Sequence, residues 1–483
     1  MLTKFKIPEV MVILLFASIV AIQLFFSPIT GLANNGDFER IMFQENLQYQ
    51  TNKHEEIYMN YIQKAFDISN TSRLVSEPYF SSEVLSLKFS LFLNNLFTDN
   101  KTFDIRYLGF TNAVLLFISL LLSIYLIRKQ SLLFRCLFYV LFLFMFLDVG
   151  YVAYFNSFYS EAASYVYLFI FIGMFYLLLA KRTYSIAVYL GTVISAILFI
   201  TGKIQNAPLG IIIMLLFIHL AWARKDILWK IVVITGSVAV LVFSIITYQS
   251  SPAALDEVTI FDSFFAGVLK SANDVPGTLN EFGVNQKYKE LVGNAYYVRQ
   301  PYDITTANPQ FKQDFYDKVT HGKIIKYYFK HPDHLYKVMD ITAKAAFNLR
   351  PDYLGNYEKE AGKGLNAKSS FMDSWSKFKL IIFPKHFMFL VAYFALYFLF
   401  LAYKVVKAGT MKGRLYYEGM IAIGLMAVMQ FAIPIVSEGE NELVKHLFLF
   451  NQLFDLTVFF LLTIFLQYMF KRYTRIQNKS SIC

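Results

Sequence analysis

The sequence predicts an all-α polytopic membrane protein with about ten transmembrane helices and two large external loops. Of its 483 residues, 56% are hydrophobic and only 16% are charged, whereas soluble domains average about 25% charged residues. The apolar residues form blocks long enough to cross about 30 Å of hydrocarbon as helices. The short segments between alternate blocks are basic, which is typical of cytoplasmic loops in membrane proteins.

Each apolar block is predicted to be one membrane span. The blocks cover residues 8–27, 108–127, 134–154, 162–180, 184–201, 208–223, 227–248, 384–404, 416–436 and 444–470. The first block ends at Ser27-Pro28 without a small-residue cleavage pattern. We therefore expect an uncleaved first span rather than a signal peptide.

Basic residues mark one side of the predicted topology. They fall in alternate short segments, at Lys4 and Lys6, Arg128, Lys129 and Arg135, Lys181 and Arg182, Arg224, Lys225 and Lys230, Lys404, Lys407, Lys412 and Arg414, and Lys471, Arg472 and Arg475. The positive-inside rule places these segments and both termini in the cytoplasm of a multi-pass plasma-membrane protein. Topology also accounts for the net charge of +11, so we expect no nucleic-acid partner.

The external segments divide the chain into three predicted parts. Residues 1–248 form a seven-span module that includes loop 28–107, residues 249–383 form a large external subdomain, and residues 384–483 form a three-span module. Within the loops, residues 80–97 have the mixed apolar and polar pattern of a helix lying at the membrane interface. Residues 311–347 predict two short helices separated at His331-Pro332.

No soluble-enzyme signature is present, so the candidate site residues are polar groups at the outer ends of spans. Cys136 and Cys483 offer neither a disulfide nor a metal cluster. The segment Asn34–Arg40 (NNGDFER) contains Asp37, Glu39 and Arg40 just outside the first span. Asp37 is either the cap of a short helix or a general base at the membrane surface.

Two further segments lie at outer span ends. In NSFYSE, Asn156 and Glu161 belong either to a turn that starts the fourth span or to a polar site. In the turn after the fifth span, Lys203 either extends its ammonium toward the membrane–water interface or binds phosphate. Gln205 lies two residues later in the same turn. Asp148, near the end of the third span, is expected to face a polar cavity.

The last candidate segment is SEGENELVKH at residues 437–446. Its glutamates are read as a solvated acidic turn, with binding of a metal, phosphate or sugar as the alternative. Lys445 and His446 stand where the last span enters the bilayer. Asn451, Gln452 and Asp455 continue a polar stripe into that span, and such a stripe should face protein or a cavity.

If these span ends converge, they form one polar site at the outer leaflet under the two loops. Carboxylates, cations and many aromatic side chains suit a sugar attached to a phosphate and a lipid, since cations hold phosphate and a carboxylate deprotonates an acceptor hydroxyl. We therefore expect a polyprenyl-phosphate sugar donor, membrane lipid and a glycan acceptor as partners. No cofactor is expected, and a divalent metal stays open.

The arrangement resembles the GT-C superfamily of membrane glycosyltransferases, in which a large external loop after span one begins with an acidic residue and a second large loop follows span seven. More narrowly, NNGDF, NSFYSE, KIQNAPLG, RPDYLGNYEK and KHLFLFN are similar to segments of bacterial WsfD-type hexose transferases of glycan biosynthesis. The resemblance implies that Asp37 is the catalytic base and that Glu161, Lys203 and His446 belong to the substrate pocket. A DxD motif, in which two aspartates flank one residue, is absent at this position, because Phe38 and Glu39 follow Asp37.

The sequence thus predicts an inverting hexosyltransferase of the cell envelope that acts outside the membrane. Lys203, Arg350 or Lys445 would hold the leaving phosphate, and a surface ion pair is the alternative role for Arg350. Two other functions remain open. A lipid-linked oligosaccharide polymerase or ligase would depend on Arg299 and Arg350 more than on Asp37, and a lipid-linked sugar flippase would place polar groups near the bilayer midplane.

Overall fold

A computed structural model describes residues 6–69, 79–98, 101–181, 183–298, 304, 306 and 308–480, with side chains as far as Phe470. Arg182 and Arg299, which the sequence analysis singled out, lie outside the described residues. The fold is built almost entirely from helices, as predicted.

The α-helices are numbered in chain order. They are α1 (Ile7–Leu24), α2 (Glu39–Met42), α3 (His54–Ile57), α4 (Glu83–Phe97), α5 (Arg106–Ile127), α6 (Leu132–Phe146), α7 (Val149–Val152), α8 (Glu161–Ala180), α9 (Ile186–Ile200), α10 (Gly210–Leu220), α11 (Ile227–Gln249), α12 (Ala253–Asp262), α13 (Leu269–Ser271), α14 (Val275–Phe282), α15 (Pro309–Phe311), α16 (His321–Lys330), α17 (Pro332–Ala345), α18 (Ser374–Ile382), α19 (Phe387–Lys407), α20 (Met411–Ser437), α21 (Leu443–His446) and α22 (Phe448–Ser480). Three short strands are β1 (Leu47–Tyr49), β2 (Ala65–Ile68) and β3 (Thr102–Asp104).

Most of the predicted spans are long apolar helices. In the described part of the chain, eight are long and apolar enough to cross a membrane: Ile7–Leu24, Arg106–Ile127, Glu161–Ala180, Ile204–Ala223, Ile227–Gln249, Phe387–Lys407, Met411–Ser437 and Phe448–Phe470. A ninth is a bent pair, Leu132–Phe146 with Val149–Asn156, at 50°. The predicted span 184–201 corresponds to α9, which is apolar but only 15 residues long. The multi-pass membrane fold is confirmed.

The bend in the third span is made at Asp148. Its carboxylate accepts hydrogen bonds from the backbone N–H groups of Gly150 and Ser376, each at 2.8 Å, so it caps α7 and also bonds to α18. The expectation that Asp148 faces a polar cavity is wrong, because the side chain is fully buried against these amides. A side chain at Gly150 would collide with Leu349, so glycine lets the second loop approach the bend closely.

The first large loop contains an element that the all-α prediction missed. Strands β1, β2 and β3 form an antiparallel sheet in that order, with Leu47 opposite Ile68 and Phe66 opposite Phe103. Strands of three or four residues are too short to show alternating polarity in the sequence. The helix predicted at residues 80–97 is present as α4.

One face of α4 is strongly apolar and exposed. Leu85, Phe89, Phe92 and Leu96 are each at least half exposed, and they recur at helical spacing along one side. This pattern is that of a helix lying at the membrane interface. In the second loop, the predicted break at His331-Pro332 separates α16 from α17, and Pro332 is the first residue of α17.

The two large loops are joined by backbone hydrogen bonds. Ala33 N–H donates to the carbonyl of Gly355 at 2.9 Å, and Ile62 N–H donates to that of Tyr357 at 3.1 Å. The Asn356 side chain donates to the carbonyl of Gly31 at 2.8 Å. A Cβ at position 355 would overlap the carbonyl of Asn60, so this close approach requires glycine. We call residues 28–69 and 249–383, taken together, the loop cap.

The polar stripe of α22 faces protein, as predicted. Asp455 accepts hydrogen bonds from Tyr151 Oη and Trp375 Nε1, both at 2.6 Å, and pairs with Lys379 Nζ at 2.9 Å. Lys379 and Asp455 are both 0% exposed. Because α18 carries Trp375 and Lys379, this buried network fixes the end of the second loop to the last span.

Replacing Asp455 by leucine should destabilise the protein by about 3–5 kcal/mol, because the Lys379 ammonium would stay buried without its partner. The double variant Asp455→Leu/Lys379→Leu should recover part of that loss, since it removes both charges. Unfolding of the detergent-solubilised variants measures both effects. Equal stability of the single variant and the wild type would contradict the proposed charge pairing.

Candidate functional site

Lys445 of α21 joins the first large loop to the turn before the last span. Its ammonium donates to Asp37 Oδ2 at 2.5 Å and to Glu442 Oε2 at 2.9 Å, and its side chain is only 2% exposed. Asp37 also pairs with Arg40 at 3.1 Å. A buried ammonium needs such partners, because desolvation is costly for an unpaired charge. The start of the first loop is thereby fixed to the entrance of the last span.

The turn before α2 explains how Asp37 is positioned. Asn34 Oδ1 accepts hydrogen bonds from the backbone N–H groups of Gly36 at 2.7 Å and Phe38 at 3.2 Å. Gly36 has a φ of +108°, which favours glycine. The helix cap is Phe38, without a side-chain capping bond. The capping alternative for Asp37 is therefore wrong, and its carboxylate is directed toward cations instead.

Neighbouring charges shift the pKa values of this cluster in the direction opposite to the effect of burial. Burial alone would raise the pKa of the Asp37 carboxyl, but Arg40, Lys445 and Lys203 outweigh it and hold that pKa well below its usual range. Burial would lower the pKa of Lys445, yet Asp37 and Glu442 raise it well above its usual value. Lys445 in turn lowers the pKa of Glu442 against the effect of burial. Asp37 and Glu442 are thus carboxylates at neutral pH.

A second group of predicted residues meets beside this cluster. Lys203 Nζ donates to Glu161 Oε1 at 2.7 Å, which joins the turn after α9 to the start of α8. Gln205 Nε2 donates to Gln430 Oε1 and to the His446 carbonyl, both at 2.9 Å. Polar side chains therefore hold α8, the turn after α9, α20 and α21 together.

A cavity of about 450 Å³ opens between these helix ends. Its polar wall includes Arg40, Lys203, Gln205, Glu438 and His446. Its apolar wall comes from helices long and apolar enough to span a membrane and from the second loop, and it includes Pro208, Tyr248, Leu255, Ile325, Met429 and Ile433. The cavity therefore suits an amphiphile with an anionic head and an apolar chain.

The acidic turn after α20 is not the solvated turn that the sequence predicts. Glu438 is only 8% exposed and its Oε1 lies 3.6 Å from His446 Nδ1. Burial raises the pKa of Glu438 to about 8, with Asp262 adding to the effect. Burial, then Lys203 and Lys445, lower the pKa of His446 well below its usual value, so this imidazole is neutral.

Six predicted site residues do not line the cavity. Asp37, Glu161 and Lys445 belong to the polar contacts beside it, whereas Glu39, Asn156 and Arg350 have other partners. Glu39 accepts hydrogen bonds from Tyr49 and Tyr58 at 3.1 and 2.9 Å. Asn156 is buried and donates to the carbonyls of Leu24 and Thr30 at 3.0 and 2.9 Å.

Arg350 is a further predicted site residue that does not line the cavity. It donates to Asn356 Oδ1 at 2.7 Å and to the Ser369 carbonyl at 2.8 Å, so it organises the second loop rather than forming a surface ion pair. For Glu39, Asn156 and Arg350 alike, substrate binding stays a prediction.

Sequence reasoning missed residues that complete the cluster. Tyr353 Oη donates to Glu442 Oε1 at 2.7 Å, and Asn35 Nδ2 donates to Glu442 Oε2 at 2.9 Å. Tyr159 Oη donates to the Ala33 carbonyl at 2.8 Å. Each belongs to a segment that the resemblance had marked, but spacing alone gave no sign that these segments meet. Across the described residues, no group of three His, Cys, Asp or Glu side chains is placed to hold a metal.

Comparison with known proteins identifies the family of the chain. A family model described as the YfdI N-terminal transmembrane domain matches residues 2–482. No curated protein and no solved structure matches the chain. The family match covers nearly the whole sequence, including both large loops and all the residues of the cluster around Lys445. The chain therefore belongs to the YfdI N-terminal transmembrane domain family.

Proposed function

We propose that this protein is a membrane glycosyltransferase that transfers a hexose from a polyprenyl-phosphate donor to a cell-surface glycan. The observation that carries the proposal is the cavity of about 450 Å³, with cations on one wall and apolar side chains on the other. Membership of the YfdI N-terminal transmembrane domain family is consistent with such an enzyme. The resemblance to GT-C and WsfD-type enzymes supports the same assignment.

The donor is bound by its phosphate and its lipid. Arg40 and Lys203 both line the polar wall, and a guanidinium and an ammonium are suited to phosphate oxygens. Tyr248, Met429 and Ile433 form an apolar wall beside them, where the polyprenyl chain lies. Charge builds on the phosphate as its bond to the sugar breaks, so these cations stabilise the transition state.

Asp37 is the proposed general base for the acceptor hydroxyl. Its carboxylate is ionised and held in place by Arg40 and Lys445. Since both cations weaken it as a base, activation must accompany substrate binding. A phosphate anion on Arg40 and Lys203 opposes their effect on Asp37 and raises the pKa of its carboxyl. Inversion at the sugar then needs no covalent intermediate.

The positive-inside rule supports an extracytoplasmic site, with both termini in the cytoplasm. The loop cap and the cavity lie at the ends of helices opposite the basic segments. Lys445 orients Asp37, while Glu161 orients Lys203 through the ion pair at 2.7 Å. A lipid-linked oligosaccharide polymerase or ligase remains the alternative enzyme, and Arg350 is the residue on which it would depend.

Replacing Asp37 by asparagine should lower the rate of sugar transfer about 10²- to 10⁴-fold, because the general base is lost. Donor binding should persist, since Arg40 and Lys203 remain. The assay uses purified protein in detergent, a panel of radiolabelled undecaprenyl-phosphate hexoses and isolated cell-envelope glycan. Transfer without a sealed compartment also distinguishes an enzyme from a flippase.

The matched control for Asp37→Asn is Asp67→Asn, which changes an exposed carboxylate of β2 in the same loop. It should transfer sugar at the wild-type rate. Wild-type turnover by Asp37→Asn would rule out its role as base. Loss of transfer in Arg350→Ala together with normal transfer in Asp37→Asn would favour the polymerase or ligase.

Replacing Lys203 by alanine should weaken donor binding about 10- to 100-fold, because a charge-assisted hydrogen bond to phosphate is worth about 1.5–3 kcal/mol. Equilibrium binding of undecaprenyl-phosphate hexose measures the change. Lys363→Ala, which removes an exposed lysine of the second loop, serves as the control. Unchanged donor affinity in Lys203→Ala would exclude this lysine from the phosphate site.

A further inference from the structure

Glu438 differs from the other acidic groups around the cavity in its partners. Asp37 and Glu442 pair with Lys445, Glu161 pairs with Lys203, and Glu440 pairs with Lys270 at 2.6 Å. Among the described side chains, His446 is the one basic group within 4.0 Å of Glu438. That imidazole is neutral, so Glu438 is a buried carboxyl without a cationic partner.

The turn that carries Glu438 is rigidly held. Gly439 has a φ of +60° and packs against the backbone of Gly267, where a side chain would collide. Glu440 N–H donates to the Ala266 carbonyl at 3.2 Å, and Asn441 Nδ2 donates to Asp262 Oδ2 at 2.9 Å. The turn therefore presents Glu438 to the cavity in a fixed position.

Glu438 lies in the same wall as the proposed phosphate ligands. Arg40, Lys203 and His446 line the cavity with it. An ionised carboxylate in this wall would repel a phosphate, whereas a neutral carboxyl would donate a hydrogen bond to one of its oxygens. A protonated Glu438 would therefore fit a bound phosphate better than an ionised one.

We propose that Glu438 is a second catalytic carboxyl, which donates its proton to the phosphate that leaves the sugar. This role rests on the proposed glycosyl transfer, and it adds an acid to the cavity wall that contains Arg40, the partner of the base Asp37. The two carboxyls differ in their surroundings: Asp37 contacts two cations, while Glu438 contacts none among the described side chains. Two carboxyls in such unlike environments divide the acid and base roles between them.

Burial and the charged groups around Glu438 together favour its protonated form. Burial raises its pKa to about 8, and Asp262 and Glu442 act in the same direction. Lys445 and Lys203 lower that pKa but do not overcome the effect of burial. Arg40 lines the same cavity and interacts electrostatically with Glu438. Below pH 8 the carboxyl is mostly protonated, and above pH 8 it loses the proton that it must donate.

The proposed step forms one bond, breaks one bond and transfers two protons. The acceptor oxygen forms a bond to the anomeric carbon, and its proton passes to Asp37. The bond from that carbon to the phosphate oxygen breaks, and its electron pair stays on the phosphate. Glu438 gives its proton to the phosphate, which leaves as a hydrogen phosphate monoester. Proton return from Asp37 to Glu438 through water restores both groups.

The test compares the wild type with Glu438→Gln and Glu438→Asp in the detergent assay with undecaprenyl-phosphate hexoses, across pH 6 to 10. Transfer by the wild type should fall as pH rises through about 8. Glu438→Gln should be about 10²-fold slower and should lack that alkaline decline. Glu438→Asp should retain the decline, because it still carries an acid. The control Glu440→Gln changes the same turn outside the cavity wall and should keep the wild-type profile.

An infrared difference spectrum between wild type and Glu438→Gln gives a second readout that needs no turnover. A protonated carboxyl band at pH 7 that disappears near pH 8 supports the proposal, and an ionised Glu438 at pH 7 overturns it. An alkaline decline that persists in Glu438→Gln also overturns it, while the proposed function stands. If the wild type and Glu440→Gln both transfer no sugar, the proposed function fails, and the role of Glu438 fails with it.

Discussion

The buried ammonium of Lys445 is the interaction on which the candidate site depends. An unpaired charge at 2% exposure would be strongly unfavourable, so Asp37 and Glu442 must both approach it. Glu442 in turn accepts hydrogen bonds from Asn35 and Tyr353. One cation thereby holds together the first loop, the second loop and the last span. The position of the proposed base is a consequence of this charge requirement.

Breaks in helices and glycines let the large loops pack closely against the spans. The third span bends by 50° where Asp148 caps α7, and α20 ends in the turn of Glu438, Gly439 and Glu440. Glycines at positions 150, 355 and 439 allow backbone or side-chain contacts that a Cβ would block. These contacts bring the second loop against the third span, the first loop and the end of α20.

Two buried acids of similar chemistry acquire different proton affinities from their neighbours. Arg40 and Lys445 stabilise the charged form of Asp37, whereas burial and the nearby Asp262 destabilise the charged form of Glu438. The lysines are distributed unevenly because each is already engaged, Lys203 with Glu161 and Lys445 with Asp37 and Glu442. The site therefore combines an ionised and a protonated carboxyl at one pH, which is the arrangement that acid–base transfer needs.

Hydropathy by itself determined the membrane class, nearly every span, and the positions of the two large loops along the chain, because the cost of crossing hydrocarbon is set locally along the chain. It also placed Asp37, Lys203 and His446 at span ends. It could not show that Lys445 pairs with Asp37 across 408 positions, or that the SEGEN turn is buried. Only the tertiary structure decided which carboxylate receives a cation and which does not, since pairing and desolvation depend on contacts between segments far apart in sequence.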